Sequence, residues 1–415
     1  MKKIIIIVLS LSIVLGFLFW KFGPSISLFN KSKTQGPITL TLWGLWEDEN
    51  LIKPLIAEYQ KQHPNLTIRY ERESSINYRT RAQTQIREGV GPDVFMIHNS
   101  WLPMFQADLS PAPPDVFSLS DYKNMFYPVA VDSFVKGNQI YCAPMEIDGL
   151  ALFYNEDMLN GVGGKPPKNW QEFIDSATKM TVRDTSGIQT AGAALGTAGN
   201  VDHWSDILGF LLMQQPSVDL NNLATPQVAE VLRFYTSFVT DPRRKTWDVN
   251  LPKSTDMIAQ GRLGFYFAPS WRAHELRVAN PNLKFKVAPV PQLSGRNVAW
   301  ATFWGEVVSA KSKNISEAWK FVKYLTSAEA EKLAYQEAAK VRLFGEPYSQ
   351  VSLSAELAQD PIVGAFVSQG PSYKFWYLSS NTFDNGINDE MIKYFEDGIN
   401  TTLAGTNPQV ALQTV

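Results

Sequence analysis

The sequence is poor in the residues that most often carry metal and redox chemistry. It has one cysteine, Cys142, and four histidines among 415 residues. A single cysteine excludes an internal disulfide framework and a cysteine-rich metal site. The histidines, at positions 63, 98, 203 and 274, lie too far apart along the chain to form a short metal-binding motif. We therefore predict neither a metal ion nor another cofactor.

Catalytic signatures and basic clusters are also missing. No Gly-x-Ser-x-Gly, phosphate-binding loop or His-Glu-x-x-His occurs. Residues 1–36 hold five lysines and no acidic residue, which leaves 33 of the 38 basic residues against all 40 acidic ones in the rest. No basic stripe is visible in that remainder, which argues against nucleic acid or anionic lipid as the main partner. A mildly acidic body is better suited to a neutral small ligand.

The chain is long enough for two domains, because 415 residues exceed what one hydrophobic core usually holds. Three strand patterns, Ile38–Trp43, Leu66–Tyr70 and Val94–Ile97, alternate with helical patterns at 51–63 and 78–88. This alternation predicts an α/β fold with a mostly parallel sheet. Ligands of such sheets bind beyond the carboxyl ends of the strands, where residues 43–47 and 98–101 fall.

The segment from Tyr141 to Met180 is the most informative part of the chain. Gly149–Tyr154 is a short apolar run, typical of a strand that is buried on both faces. Two prolines then delay the next helix until Asn169, which can cap a helix that begins at Trp170, with Glu172 at the reciprocal capping position. The segment therefore predicts a crossing, a buried strand, a turn and a capped helix.

This layout resembles the solute-binding proteins of bacterial ABC importers, in the extracellular sugar-binding family that includes maltose-binding proteins. The matching features are Asp148 before the strand, Tyr154–Asn155 at its end, and Pro166–Trp170 at the helix entry. Four other segments match the family in the same order: Gly91–Phe95, Met257–Trp271, Phe285–Gln292 and Ala318–Phe321. The resemblance covers about residues 38–412.

The resemblance implies a two-lobed fold of the periplasmic-binding-protein type (type II), with discontinuous lobes and a hinge. Lobe 1 would comprise residues 38–143 and 293–338, and lobe 2 residues 147–289 and 348–415. The hinge crossings would be 144–146, 290–292 and 339–347. The implied function is capture of a sugar or oligosaccharide between the lobes and its delivery to an ABC permease, without catalysis, by a monomer.

A neutral sugar is held by carboxylates, amides or arginines at its hydroxyls and by aromatic rings at its apolar faces. The family's contact positions and the strand ends together select ten candidate ligand-binding residues: Trp43, Glu47, Asn99, Ser100, Asp148, Trp204, Trp271, Arg272, Trp304 and Glu306. For Asp148 the alternative is a structural role in the turn before Gly149, and for Trp204 and Trp271 it is packing. Only one of Trp43 and Trp46 is expected to face the ligand.

Two other functions stay open at this point. The lobes could bind a different small solute, such as a polyamine, an amino acid or a peptide, or serve as a ligand sensor. The chain could also be a glycoside hydrolase that uses two of Glu47, Asp148 and Glu306, because such enzymes need a pair of carboxyl groups across the scissile bond.

Residues 1–37 are predicted to be a targeting segment and a tether. Lys2 and Lys3 precede the apolar run Ile4–Trp20, which as a helix would be about 26 Å long, near the lower limit for crossing a bilayer. The run is long for a signal peptide, and Trp20 suits an interfacial position, so we expect a single-pass anchor. The family resemblance implies that the body lies outside the cytoplasm. The alternative is a cleaved signal peptide and a secreted or periplasmic body.

Overall fold

The computed structural model describes residues 36–414, so residues 1–35 of the predicted targeting segment and tether lie outside the described residues. The strands are β1 Ile38–Gly44, β2 Leu66–Arg72, β3 Val94–His98, β4 Leu109–Ser110, β5 Val135–Lys136, β6 Gln139–Ile140, β7 Cys142–Ala143, β8 Ala151–Asn155, β9 Val182–Asp184, β10 Gly187–Ala193, β11 Leu263–Ala268, β12 Phe285–Ala288, β13 Ala299–Trp300, β14 Trp304–Ser309 and β15 Tyr373–Lys374. The α-helices are α1 Glu49–Gln62, α2 Tyr78–Glu88, α3 Leu102–Phe105, α4 Leu119–Met125, α5 Pro128–Phe134, α6 Glu156–Gly161, α7 Trp170–Met180, α8 Trp204–Gln214, α9 Pro226–Thr240, α10 Ser254–Ala259, α11 Arg272–Ala279, α12 Ile315–Leu325, α13 Ala328–Ala339, α14 Ser354–Leu357, α15 Val363–Gln369, α16 Ile387–Leu403 and α17 Pro408–Thr414. Within 36–414, no helix combines the length and the apolar character needed to cross a membrane.

The first lobe is built on a six-stranded sheet in the order β2-β1-β3-β14-β4, with β7 also paired to β14. The strands β1 and β3 are parallel, with Leu42 opposite Val94, as the alternating strand and helix patterns predict. The strand β14 returns from a distant part of the sequence and pairs antiparallel with β3, so that Trp304 lies opposite His98. The carboxyl ends of β1 and β3 therefore lie at the same sheet edge as the beginning of β14.

The second lobe is built on a five-stranded sheet in the order β12-β8-β11-β10-β9. Every residue of β8 and of β11 is buried, which explains why both read as continuous apolar runs. On this sheet Phe173 of α7 stacks on Phe265, with ring centroids 4.9 Å apart. The Asn169 side chain accepts a hydrogen bond from the backbone N–H of Glu172 (2.9 Å), which confirms the predicted cap of α7.

Three crossing segments join the lobes and pair with one another. In the first crossing, Glu146 forms an antiparallel bridge with Tyr348 of the third, and Gly149 with Ala301 of the second. Gly149 is required by this close approach, because a Cβ atom there would lie 2.0 Å from the carbonyl oxygen of Trp300. The crossings therefore form a hydrogen-bonded hinge at the base of the space between the lobes.

The second crossing lies later in the sequence than the predicted 290–292. Gln292 pairs with Asn169 of the second lobe, and β13 (299–300) pairs with β15 (373–374). The chain enters the first lobe only where Phe303 accepts a hydrogen bond from Asn99 (2.9 Å) and β14 begins. The Ala-Pro pattern in the sequence marks the end of β12, but the distance that the chain then travels along the second lobe is set by tertiary pairing.

The third crossing also extends beyond the predicted 339–347. Gln350 forms a bridge with Phe126 of the first lobe, and its side chain donates a hydrogen bond to the carbonyl of Thr326 (2.6 Å). The chain then reaches the second lobe through α15, where Phe366 contacts Phe153 with ring centroids 6.2 Å apart. Residues 348–350 are therefore held by the first lobe.

Candidate ligand-binding site

A cleft of about 550 Å³ lies over the hinge, between the two sheets. Its floor is made by the three crossings, which contribute Glu146 and Asp148, Thr302 and Phe303, and Arg342 and Glu346. This volume is typical of small-molecule sites. We call this space the cleft.

The first lobe supplies an aromatic wall to the cleft. The Trp304 ring meets the ring of Trp46 edge to face (centroids 5.6 Å apart) and the rings of His98 (5.3 Å) and Trp101 (5.0 Å) in the same manner. Trp46 is 43% exposed, which is unusual for so large an apolar side chain. The imidazole of His98 is held between Ser100 and Thr302, and burial lowers its pKa to about 4. The uncharged imidazole of His98 is therefore fixed in position against the Trp304 ring.

The second lobe supplies Trp271 and Arg272, which follow β11. The Arg272 guanidinium lies over the Trp271 ring, 4.3 Å from its centroid, and pairs with Glu275 (2.5 Å). Its Nε donates a hydrogen bond to Nε2 of His203 (2.9 Å), so the histidine proton lies on Nδ1, which faces Ser380 (2.9 Å). Aromatic rings and hydrogen-bonding groups from both lobes thus face the same cleft.

The floor of the cleft carries a compact group of charges. Arg342 pairs with Glu47 of the first lobe (3.1 Å) and with Glu346 (2.9 Å). Burial, followed by the charges of Glu346 and Glu47, raises the pKa of Glu146 well above its usual range. One arginine therefore serves several acidic groups here.

Asp148 lines the cleft and also holds neighbouring backbone segments in place through hydrogen bonds. Its carboxylate accepts hydrogen bonds from the backbone N–H of Gly149 (2.7 Å) and from the N–H (3.0 Å) and hydroxyl (2.8 Å) of Ser270. Ser270 immediately precedes Trp271, so Asp148 fixes the loop that presents this tryptophan. Burial, followed by the charge of Glu346, raises the pKa of Asp148 to about 7. Both roles considered from the sequence, ligand contact and turn stabilisation, are consistent with this position.

A second, smaller space of about 80 Å³ lies behind the cleft, between the first sheet and helices α1 and α13. We call it the inner cavity. Its walls are mostly apolar, but Glu306 of β14 and Glu331 of α13 also line it. Glu306 is 5% exposed, and within the described range its Oε2 has no hydrogen-bond partner. Burial raises its pKa to about 8.

The loop at 379–386 forms part of the cleft wall. It contributes residues 380–383 to the lining, and it leads into α16, which packs on α9 of the second lobe. Arg79 of the first lobe donates hydrogen bonds to the carbonyls of Asp384 and of Asn385 (3.1 Å for the latter). This loop therefore ties the two lobes together.

The remaining predicted site residues lie away from the cleft lining. Trp43 is 4% exposed, its indole N–H donates to Glu71 (2.9 Å), and it lines the inner cavity. Asn99 and Ser100 are fully buried. The side-chain oxygen of Asn99 accepts a hydrogen bond from the N–H of Phe303, and the hydroxyl of Ser100 bonds to His98 and Asn388. Trp204 begins α8 and packs against the core. Of the ten candidates, those that line the cleft are Glu47, Asp148, Trp271, Arg272 and Trp304.

Sequence reasoning missed several residues of the cleft. Arg342 and Glu346 fall in the predicted third crossing, and their spacing of four residues is a helix-type ion-pair signal that was available. Glu146 falls in the predicted first crossing. Trp46 was left open against Trp43, and it lines the cleft. Among the described residues, no three His, Cys, Asp or Glu side chains are grouped so as to hold a metal ion.

Comparison with known proteins gives both a family and a fold. The model of the family "bacterial extracellular solute-binding protein" matches residues 45–332. A binding protein of Brucella abortus (strain 2308) is 23% identical over 279 residues, which is 64% of this chain and 66% of that protein. The chain thus spans just under two thirds of the length of that relative. The maltotriose-binding protein of Pyrococcus abyssi is 22% identical over 76% of this chain and 67% of its own length.

Solved structures share the architecture. A cyclo/maltodextrin-binding protein, crystallised with maltotetraose, superposes with a TM-score of 0.73 at 18% identity, over 92% of this chain and 96% of that one. The likeness supports the two-lobed α/β fold described above.

Proposed function

We propose, because the chain belongs to the bacterial extracellular solute-binding protein family, that it captures a sugar or oligosaccharide in the cleft and delivers it to an ABC permease. The observation that carries the proposal is the pairing of Trp304 and Trp46 on one lobe with Trp271 on the other, beside carboxylates and arginines. Aromatic rings cover the C–H faces of a sugar, and charged groups bind its hydroxyls with about 1.5–3 kcal/mol each. The named sugar-binding relatives support this choice.

The hinge explains how capture would be signalled to a permease. A ligand that touches both walls binds the closed arrangement better than the open one, and that difference in affinity shifts the population toward closure. The ligand contacts would come from Trp304 on one side and from Trp271 and Arg272 on the other. No chemical step is needed, and we expect the protein to act as a monomer.

The carboxyl groups considered for a hydrolase have other roles in this arrangement. Glu47 pairs with Arg342, Asp148 accepts hydrogen bonds from Gly149 and Ser270, and Glu306 lies behind the cleft. A glycosidase needs one carboxyl group to protonate the leaving group and a second across the bond. Binding therefore accounts for these residues better than catalysis.

A ligand screen tests the proposal. Thermal-shift measurements on the full chain with mono- and oligosaccharides, polyamines and amino acids are expected to show stabilisation by at least one carbohydrate. Trp271→Ala should lower the affinity for that carbohydrate by about tenfold or more, because an aromatic contact is lost. Trp204→Ala should change the affinity little. Stabilisation by amino acids alone, or turnover of a labelled oligosaccharide, would contradict the proposal.

We also propose that residues 1–37 anchor the body at the outer face of the membrane. The support is the apolar run Ile4–Trp20, with lysines before it and an interfacial tryptophan at its end. Mass spectrometry of the native protein should find residues 1–24 retained in the membrane fraction. A chain that begins near Leu28 would instead show cleavage and release.

A further inference from the structure

The cleft and the inner cavity hold more acidic groups than cations. Arg272 and Arg342 are the two arginines that line the cleft. The acidic side chains that line either space are Glu47, Glu146, Asp148, Glu275, Glu306, Glu331 and Glu346. A neutral ligand brings no cation to these carboxyl groups, so those that are buried and unpaired would have to stay protonated.

The existing ion pairs do not reach all of these groups. Arg342 is shared between Glu47 and Glu346, and Arg272 pairs with Glu275. In the described part of the chain, residues 36–414, neither Glu146 nor Glu306 forms an ion pair.

Glu306 adds an observation that is independent of the charge count. It is 5% exposed and lines the inner cavity, and in the part of the chain that the structure describes its Oε2 accepts no hydrogen bond. Most buried polar atoms in folded proteins have a partner, and a group without one indicates a missing water, ion or ligand atom. A carboxyl group in an apolar space must stay protonated or find a cation, and burial accordingly raises the pKa of Glu306 to about 8.

The two spaces adjoin at this point. Glu47, Glu146, Glu346 and Arg342 line both the cleft and the inner cavity, as do Met96 and Trp304. The inner cavity of about 80 Å³ has room for about five water-sized groups. An ammonium group and the carbon that bears it would fit there, whereas a sugar ring would remain in the cleft.

We propose that the ligand carries a primary ammonium group, which occupies the inner cavity between Glu146 and Glu306 while the rest of the ligand lies in the cleft against Trp304. An ammonium group supplies one positive charge and three N–H donors, which matches carboxyl oxygens that lack a cation. The apolar walls of the inner cavity cover its carbon stem. This inference rests on the proposed function and narrows the ligand to an aminated oligosaccharide.

Three oligosaccharides of equal length and linkage test the proposal. β-1,4-linked glucose oligomers whose terminal exocyclic C6 carries an amine, an acetamide or the ordinary hydroxyl differ at this one position, and in the first of them the carbon that bears the amine lies outside the sugar ring. Calorimetric titration of the full chain at pH 7 should show the amine oligomer to bind about tenfold or more tightly than the other two, because charge-assisted hydrogen bonds are about twice as strong as neutral ones. Spermidine serves as an amine without a sugar.

Two isosteric variants test whether Glu146 and Glu306 cause the preference for the amine. Glu146→Gln and Glu306→Gln keep the side-chain shape but replace a carboxyl group, which can ionise to pair with an ammonium group, by an amide that cannot, and each should reduce the preference for the amine to about threefold or less. Glu329→Gln is the matched control, because Glu329 is exposed on α13, the helix that also carries Glu331. This control should keep the full preference, and melting temperatures of all three variants report whether they are folded.

The outcomes separate the two proposals. Equal affinities for the three oligomers, no binding by any aminated probe, or an amine preference that survives both substitutions would each overturn the ammonium site. Binding of neutral oligosaccharides would leave the proposed function standing in those cases. Binding of spermidine without any oligosaccharide would support the ammonium site and overturn the sugar assignment.

Discussion

The substitution Glu306→Gln is the strongest test of the buried, protonated carboxyl group of Glu306. The carboxyl group of Glu306 has a pKa of about 8 in the folded protein, against 4.5 for the free side chain, because it is buried. A folded-state pKa that is raised means that the protonated form is the one that fits the native structure. The stability that depends on this proton is complete below about pH 4.5 and is lost as the pH rises through 8.

The size of the effect follows from the shift in pKa. A change of one unit corresponds to about 1.4 kcal/mol, so the wild-type protein should lose on the order of 4 kcal/mol between pH 5 and pH 9 through this group. Glutamine cannot ionise and has the same shape. Glu306→Gln should therefore match the wild type at pH 5, apart from a constant offset if its amide finds no acceptor, and should be several kcal/mol more stable at pH 9.

Urea unfolding of both proteins at five pH values between 5 and 9 measures this difference. Titrating groups that do not interact with Glu306 cancel in the comparison. Burial and, to a smaller extent, the charge of Glu306 raise the pKa of Glu331, so Glu331 adds to the difference with the same sign, and the sign of the slope with pH is diagnostic. Glu329→Gln, which replaces an exposed carboxyl group of α13, is measured alongside as the matched control. A pH-independent difference for Glu306→Gln would show that the native carboxyl group is already ionised at neutral pH, and the argument from burial would then be wrong.

Three other predictions concern the walls and the ties of the cleft. Asp148→Ala should lower the free energy of unfolding by about 2 kcal/mol or more without any ligand, because it leaves the N–H groups of Gly149 and Ser270 unpaired; a urea midpoint equal to that of the wild type would refute the structural role. Arg79→Ala should increase the radius of gyration of the ligand-free protein in small-angle scattering, because it removes the ties between α2 and the loop at 379–386, and an unchanged radius would count against that link. Trp304→Ala should lower the affinity for the oligosaccharide identified by the screen about tenfold or more, as measured by calorimetry. An unchanged affinity would show that the first-lobe wall does not contact the ligand.

Local features of the fold could be predicted from the sequence, because they depend on neighbours along the chain. The alternation of strand and helix patterns indicated α/β lobes, and the apolar run that becomes β8 indicated a strand buried on both faces. The cap at Asn169 followed from a side chain that can accept a hydrogen bond from the N–H of Glu172. The position of Asp148 between a crossing and a buried strand could also be found from sequence alone.

The contacts of the cleft were decided only by tertiary structure. Glu47 and Arg342 are 295 residues apart and meet because the third crossing lies beside the end of β1. The choice of Trp46 over Trp43 for the cleft depends on which way the chain turns after β1, and the second crossing was misplaced because pairing with distant strands sets its length. The excess of buried carboxyl groups has the same cause: each acidic residue is unremarkable in its own segment, and only the pairing of the crossings brings them together away from water.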